Sequence, residues 1–201
     1  MKRIQAIASL VDANSKVVDI GTDHAYLPIY LYQNNITKFI TASDISKEVL
    51  KYSAKNLIKN NLEDKIELIE SDGFKNLSEK YDIAIITGMG SSTIKKILSV
   101  KKLPKKIIVC SHNNIPDLRI FINSIGYKVE KEIIVKEKEI YYDIIKYTKG
   151  KENLNEEDIL LGKSNNLEYL NYLLNKYKIL FSKSKNLKYL KYINVIEKKL
   201  A

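Results

Sequence analysis

Between residues 16 and 149 the chain alternates apolar, β-branched runs with amphipathic stretches. The strand-like runs are KVVDIG (16–21), FITASDI (39–45), KIELIES (65–71), YDIAIITG (81–88) and KKIIVCS (105–111). Helix-like segments separate most of them: AYLPIYLYQNN, SKEVLKYSAKNLIKNN, STIKKILSV and IPDLRIFINSIG. In the second, Ser46 followed by Glu48 offers an N-cap, ahead of apolar residues at three- and four-residue steps (Val49, Leu50, Ala54, Leu57, Ile58). Between the third and fourth strands a helix is short or absent, over GFKNLSEK. This alternation predicts an α/β fold with a mostly parallel, doubly wound sheet and right-handed crossovers. The stretch YKVEKEIIVKEKEIYYDIIKYT (127–148) holds two strand-like runs with no room for a helix between them. An antiparallel hairpin is therefore expected to close the sheet.

The two ends of the chain read differently. MKRIQAIASLVDANSK has a basic start, but its apolar stretch is short and Asp12 follows, so it reads as an amphipathic helix and not a signal peptide. After Gly150 a polar connector or short helix leads to Leu167, Leu170, Leu174, Tyr177 and Phe181, which define one helical stripe. SKSKN interrupts it, and Leu187, Leu190, Ile193, Ile196 and Leu200 resume on a shifted phase. Two antiparallel helices, or one long helix with a break, are expected. The stripe either packs on itself and the core or forms a surface for RNA or a partner. The domain division is thus 1–150 for the sheet domain and 151–201 for a helical C-terminal appendage.

Length and charge narrow the class. The 201 residues suit one domain of ordinary size plus an appendage. No apolar run approaches the roughly 20 residues needed to span a bilayer. A single cysteine, Cys110, cannot form an internal disulfide, which favours a cytoplasmic location. The net charge is +10, and Arg3 and Arg119 are the two arginines among 34 basic residues. Abundant Ile, Asn and Tyr with no Trp fits AT-rich codon usage, yet such a surface attracts polyanions whatever its origin. Lysine gives diffuse attraction with little bidentate recognition, so a nucleic-acid partner is favoured without a specific contact being implied.

In a doubly wound sheet the ligand lies beyond the carboxyl ends of the strands. Those ends carry Asp19-Ile20-Gly21-Thr22-Asp23-His24, then Asp44, then Asp72-Gly73, then Gly88-Met89-Gly90-Ser91-Ser92, then Ser111-His112-Asn113-Asn114. Both histidines and four acids therefore share one rim. A dinucleotide site would carry G-x-G-x-x-G after the first strand, because a pyrophosphate needs bare amides. Here only Gly21 is present, and Asp23 would repel a pyrophosphate. Asp44 suits the hydroxyls of a ribose and Asp72 the amino edge of an adenine. A glycine turn flanked by acids tolerates a sulfonium and an ammonium, which points to S-adenosylmethionine. The competing structural readings are a helix-capping acid for Asp44 and an Asp-Gly turn for Asp72.

The motifs DIGTDHAYLPIYL, TASDIS, SDGF and TGMGSSTIKKIL, in that order, resemble those of the bacterial tRNA (adenine-22-N1)-methyltransferases, the TrmK family. The resemblance covers residues 1 to about 149 and extends to the tail, since that family carries a C-terminal coiled coil. It implies a class I Rossmann-like methyltransferase that uses S-adenosylmethionine to modify N1 of an adenine in tRNA; no obligate protein partner is evident from the sequence. By position, Asp19, Gly21 and Thr22 would face the methionine part, Asp44 with Ile45 the ribose, and Asp72 with Gly73 the adenine. Gly88, Met89 and Gly90 would line the pocket between cofactor and target base. The family tends to show Gln-Pro-Asn after strand five and a later Leu-Arg. CSHNNIPDLR keeps Asn113 and Leu118-Arg119 but has Ser111 and His112 in place of Gln-Pro. His112, Asn113 and Arg119 would thus meet the substrate.

Adenine N1 carries an available lone pair, so in-line approach and exclusion of water matter more than a strong base. The ring becomes cationic, and Asp23 is the candidate carboxylate to favour that charge; alternatively it bonds backbone at the turn. His24 either contacts the base or caps the first crossover helix, and Met89 completes the catalytic candidates. Two histidines without a third spaced ligand do not make a zinc site. TGMGS lacks the N-P-P-Y-like turn of adenine-N6 enzymes. Cys110, ending an apolar strand, reads as a core residue and not as the nucleophile that carbon-5 methylation requires. The alternatives are methylation of another RNA nucleotide, or a non-catalytic RNA-binding protein on the same fold. Because N1 lies on the pairing edge, the adenine must be unpaired or flipped out.

Overall fold

The computed structural model describes residues 2–77 and 80–201. Seven strands form one sheet: β1 Val17–Ile20, β2 Ile40–Asp44, β3 Glu67–Glu70, β4 Ile83–Met89, β5 Lys106–Ser111, β6 Tyr127–Glu137 and β7 Ile140–Lys149. The spatial order is β3-β2-β1-β4-β5-β7-β6. The first five strands are mutually parallel, and β7 pairs antiparallel with both β5 and β6. The expected hairpin is present, with its second arm wedged between its first arm and the parallel sheet.

Strand parity explains how an unbroken apolar run can serve two layers. In β4, Ile83 and Ile85 enter one core while Ala84 and Ile86 enter the other, as a period of two demands of a strand covered on both faces. The first core is closed by α1 Lys2–Ala8, α2 Tyr26–Gln33 and α3 Lys47–Lys59, through Ile7, Leu27, Leu31 and Leu57. The second is closed by α4 Ser91–Leu98 and α5 Ile115–Ser124, through Ile94, Leu98, Leu118 and Ile122. Ser46 caps α3 as expected, its hydroxyl accepting from the Val49 amide at 3.3 Å. The stretch GFKNLSEK forms turns where it is described; its Ser78 and Glu79 lie outside the described residues. Cys110 is 1% exposed and belongs to the first core, where burial pushes its thiol up to about 12.

The tail consists of α6 Glu156–Leu161, α7 Leu167–Ser184 and α8 Leu187–Leu200. The expected antiparallel pair is α7 and α8, and it builds a third core with α6 and with Ile134 and Tyr141 of the hairpin. The phase of the stripe departs from the sequence reading. Tyr169, Leu170, Leu173 and Tyr177 are buried, whereas Leu167 and Leu187 are exposed. Those two leucines open their helices directly after the caps Asn166 and Asn186, at ends that lie beyond the packed faces. Among the described residues no helix is long and apolar enough to cross a membrane.

Candidate functional site

The sheet winds in opposite directions on either side of β1, which has β2 as one neighbour and β4 as the other. At this switch point the crossovers part and leave a crevice above the carboxyl ends. Two glycines shape it. Gly21 has φ +79°, a left-handed backbone that favours glycine, and a Cβ there would lie 2.0 Å from Met89 Cε, so the methionine side chain would have to swing aside. Gly88 has φ +76° at a bulge, where the pairing of β4 with β5 shifts register between Thr87 and Met89. The bulge re-aims Met89 toward the first turn. The Gly21 and Thr22 amides both donate to Ser43 O, at 2.8 and 3.0 Å, which ties that turn to β2.

A single 3-10 turn, Asp23–Ala25, then leads into α2. His24 and Ala25 sit consecutively in the left-handed region at φ 59° and 57°. Such non-glycine residues cost roughly 1–2 kcal/mol each. The conformation is held from outside: Asn56 Nδ2 of α3 donates to His24 O at 2.9 Å. The His24 ring stacks on Tyr26 at 5.4 Å and lies 5.8 Å from Tyr52. Its Nε2 is 3.3 Å from the exposed Asp23 carboxylate.

These elements surround a cavity of about 330 Å3, within the range of small-ligand sites. Its floor and one wall are Asp19, Gly21, Thr22 and Asp44; Asp23, Gly88 and Met89 stand around it; Arg3, Ile4 and Ile7 of α1 complete the enclosure. Asp19 is 4% exposed. Burial pushes its carboxyl up to about 6, the nearby Thr22 hydroxyl opposes that rise, and the Asp44 charge adds to it. The Thr22 hydroxyl lies close to Asp19 without a well-formed hydrogen bond, and Thr22 Oγ1 is left buried and unsatisfied. A buried carboxyl with only one buried hydroxyl beside it, and no counter-charge, marks a site that a polar ligand completes. The residues therefore fit a ligand that carries a cation toward Asp19 and hydroxyls toward Asp44.

Not every rim residue joins this cavity. Asp44 does, although its Oδ1 also accepts from the Ser46 amide at 2.8 Å, so the ligand-facing and the turn-forming readings describe the same side chain. Ile45 is an exposed neighbour. Asp72 stands outside the lining and pairs with Lys75 at 2.6 Å, a hydrogen bond that holds its carboxyl below the usual range. Gly73 is buried beside Ile97. Gly90 precedes α4, and Asn113 Oδ1 accepts from the Ser91 amide at 3.1 Å, so Asn113 caps that helix. His112 is exposed, its ring beside Gly88. Arg119 is a correction: it is 2% exposed and bound through its guanidinium to Glu132, so it lies in the interior, out of a substrate's reach. Burial penalises its charge, but Glu132 outweighs that and keeps it firmly protonated.

Sequence reasoning missed Arg3, Ile4 and Ile7, because it assigned the first helix no role at the site. The rarity of arginine in so lysine-rich a chain was the one available signal.

The fold and the cavity define a class, and the comparisons agree: a family model described as "Methyltransferase domain" matches residues 1–145. A Mycoplasma genitalium protein provisionally named a tRNA methyltransferase is 36% identical over 169 residues, covering 80% of this chain and 76% of its own. The solved structure of Mycoplasma capricolum TrmK, in complex with S-adenosylhomocysteine, is 34% identical with a TM-score of 0.86, covering 98% of this chain and 96% of that one. The Bacillus subtilis tRNA (adenine(22)-N(1))-methyltransferase is 26% identical over 149 residues, 72% of this chain and 63% of its own. The chain belongs to the TrmK family of methyltransferases.

Proposed function

We propose that this protein transfers the methyl group of S-adenosylmethionine to N1 of adenine 22 in tRNA. The observation that carries the reading is the cavity at the β1–β4 switch point, where Asp19 lies buried with no counter-charge and Thr22 Oγ1 is unsatisfied, in a chain whose TrmK relative is described in complex with S-adenosylhomocysteine. The bound donor supplies an electrophilic methyl: the adenine N1 lone pair forms the new N–C bond, and the electrons of the broken S–C bond stay on sulfur.

The chain's own residues bind and orient. Asp19, Gly21 and Thr22 receive the methionine end, Asp44 the ribose hydroxyls, and Asp72 with Gly73 the adenine, once Lys75 yields one of the carboxylate's acceptor positions. Gly88, Met89 and Gly90 form the wall between donor and target base. No proton has to leave N1 before attack, so positioning and exclusion of water dominate. Asp23 lines the cavity, where a carboxylate favours the cationic product ring, while His24, stacked on Tyr26 and beside Tyr52, stands next to it outside the lining.

Residues 151–201 serve as an appendage turned toward the polyanion. Four of its ten lysines (Lys178, Lys188, Lys191 and Lys199) are engaged in ion pairs, and its net charge is +4, from ten lysines and six acids. The protein acts in the cytoplasm without an obligate protein partner.

The test is incubation of unmodified tRNA with labelled donor followed by nucleoside analysis. 1-Methyladenosine at position 22 is expected; label in another nucleoside, or none, overturns the reading. Asp44→Ala should weaken calorimetric binding of the donor by roughly 10–100-fold, the worth of hydrogen bonds to a charged acceptor. Unchanged affinity removes the ribose assignment.

A further inference from the structure

Among the described residues three phenylalanine or tyrosine side chains are largely exposed: Tyr26, Phe39 and Tyr52. Phe39 stands just before β2, at the opposite end of the sheet from the cavity. The other two sit together at the cavity's edge. Tyr26 lines it and is 50% exposed, while Tyr52 of α3, 47% exposed, stands outside the lining. His24 joins them, its ring 5.4 Å from that of Tyr26 and 5.8 Å from that of Tyr52. The row of rings therefore runs outward from the cavity onto the face of α3. Its central member is placed there by a left-handed backbone, φ 59°, that the Asn56 side chain holds, so the row is built at a conformational cost. Half-exposed rings return little of that cost through burial.

The same face of α3 is basic. Lys51 and Lys55 are one helical turn apart and both exposed, and Lys55 Nζ lies 5.7 Å from the Tyr52 ring centroid. Among the described residues no carboxylate pairs with either, whereas Lys47, a turn earlier, pairs with Glu70 at 3.5 Å. The one acid of the helix, Glu48, stands in its first turn. Ring faces interleaved with unpaired cations suit an unpaired nucleotide, which offers a base to stack and a phosphate to neutralise. The target adenine itself must meet the donor inside the cavity, and Tyr52 stands outside it. We propose that Tyr52 and His24 form a stacking platform for the base next to the methylated adenine, with Lys51 and Lys55 on the adjoining phosphates. Flipping the target out costs its stacking on that neighbour. The platform gives the neighbour a ring in exchange and, because every base has a π-face, does so without reading sequence.

This inference rests on the RNA-methylating function proposed above, and the experiment keeps the two apart. Wild type, Tyr52→Ala, Tyr52→Phe and the double variant Lys51→Gln/Lys55→Gln are assayed as full-length chains. The measurements are tRNA binding across salt concentrations, methylation kinetics and calorimetric binding of S-adenosylhomocysteine. Tyr52→Ala should raise the KM for tRNA roughly tenfold, the scale of one lost base–ring stack, with little change in kcat and S-adenosylhomocysteine affinity within about twofold. Tyr52→Phe keeps the ring and should restore KM. The lysine variant should instead reduce the slope of log Kd against log salt by about one to two units, a slope that Tyr52→Ala leaves unchanged. A cycle with tRNA carrying an abasic residue on one or the other side of the target adenine then isolates the stack: on one of the two, Tyr52→Ala should cost no further affinity. A full additional loss on both abasic tRNAs would overturn the inference. So would equal losses of tRNA and S-adenosylhomocysteine binding, which would make Tyr52 a support of the fold. Unchanged tRNA binding with an altered oligomeric state would also overturn it, assigning the patch to a second copy of the chain. If wild type methylates no tRNA, the proposed function falls first and the platform with it.

Discussion

Two places in this molecule bury charge, and they do it in opposite ways. At the junction of sheet and tail, Arg119 is paired with Glu132, and Asp143, 7% exposed, accepts from Tyr169 Oη at 2.6 Å with Arg119 Nη2 3.8 Å away. At the rim, Asp19 is as deeply buried, yet only the neutral Thr22 hydroxyl favours its charge, and the Asp44 carboxylate repels it. The first arrangement sets positive against negative charge, although Arg119 Nε is left without a hydrogen bond, and it contributes by holding α7 against β7. The second is open and costs stability until something positive arrives. Burial alone does not distinguish structure from function; whether the buried charge meets an opposite one does.

That contrast can be broken experimentally. Arg119→Ala strands Glu132 and Asp143 in the interior and should cost about 3–5 kcal/mol, lowering the melting temperature by roughly 10 °C. A loss under 1 kcal/mol would mean that the junction relaxes. Asp19→Asn should do the reverse. With a folded-state value of about 6 against 3.8, ionised Asp19 destabilises the unliganded protein by on the order of 3 kcal/mol at pH 7.5. The amide variant should therefore melt higher than wild type at that pH while binding S-adenosylmethionine at least tenfold more weakly. Lower stability on this substitution would show Asp19 to be paired already.

The sign of the pH dependence follows. Both states carry a neutral Asp19 below about pH 4, so its penalty is absent there. It grows as pH rises through about 6 and is constant above. Wild-type stability measured against Asp19→Asn should fall across that window. The smallest effect is on affinity. A ligand ammonium needs the ionised carboxylate, so donor binding should weaken about fourfold between pH 7.5 and 5.5. A flat profile would leave Asp19 without contact to the ammonium.

Much of this was legible from residues alone, for identifiable reasons. Buried parallel strands are short and apolar and end at glycine or acid, so the five runs and their rim could be read in order. Asp19, Gly21, Thr22, Asp44, Gly88 and Met89 meet because their strands are neighbours, and strand ends are a local property. What was not legible depends on docking. Nothing local says that β7 lies between β5 and β6, or that Glu132, 13 residues beyond Arg119 and on another element, neutralises it. The same holds for Arg3, which reaches the cavity because α1 packs across the sheet, and for the stripe of α7, whose phase is set by packing against three partners at once. Asp72 was placed on the right edge, but a lysine one turn later claims it, a choice made by rotamers and not by spacing.

The pair of left-handed residues before α2 makes the mouth of the cavity depend on a distant amide. His24 and Ala25 hold an unfavourable backbone because the flanking helix and the Asn56 side chain leave them no alternative. Asn56 is not part of the cavity lining, yet its amide holds the turn that precedes α2. Sequence drift at that helix position would loosen the doorway and alter turnover from a residue that no inspection of the pocket lining would flag.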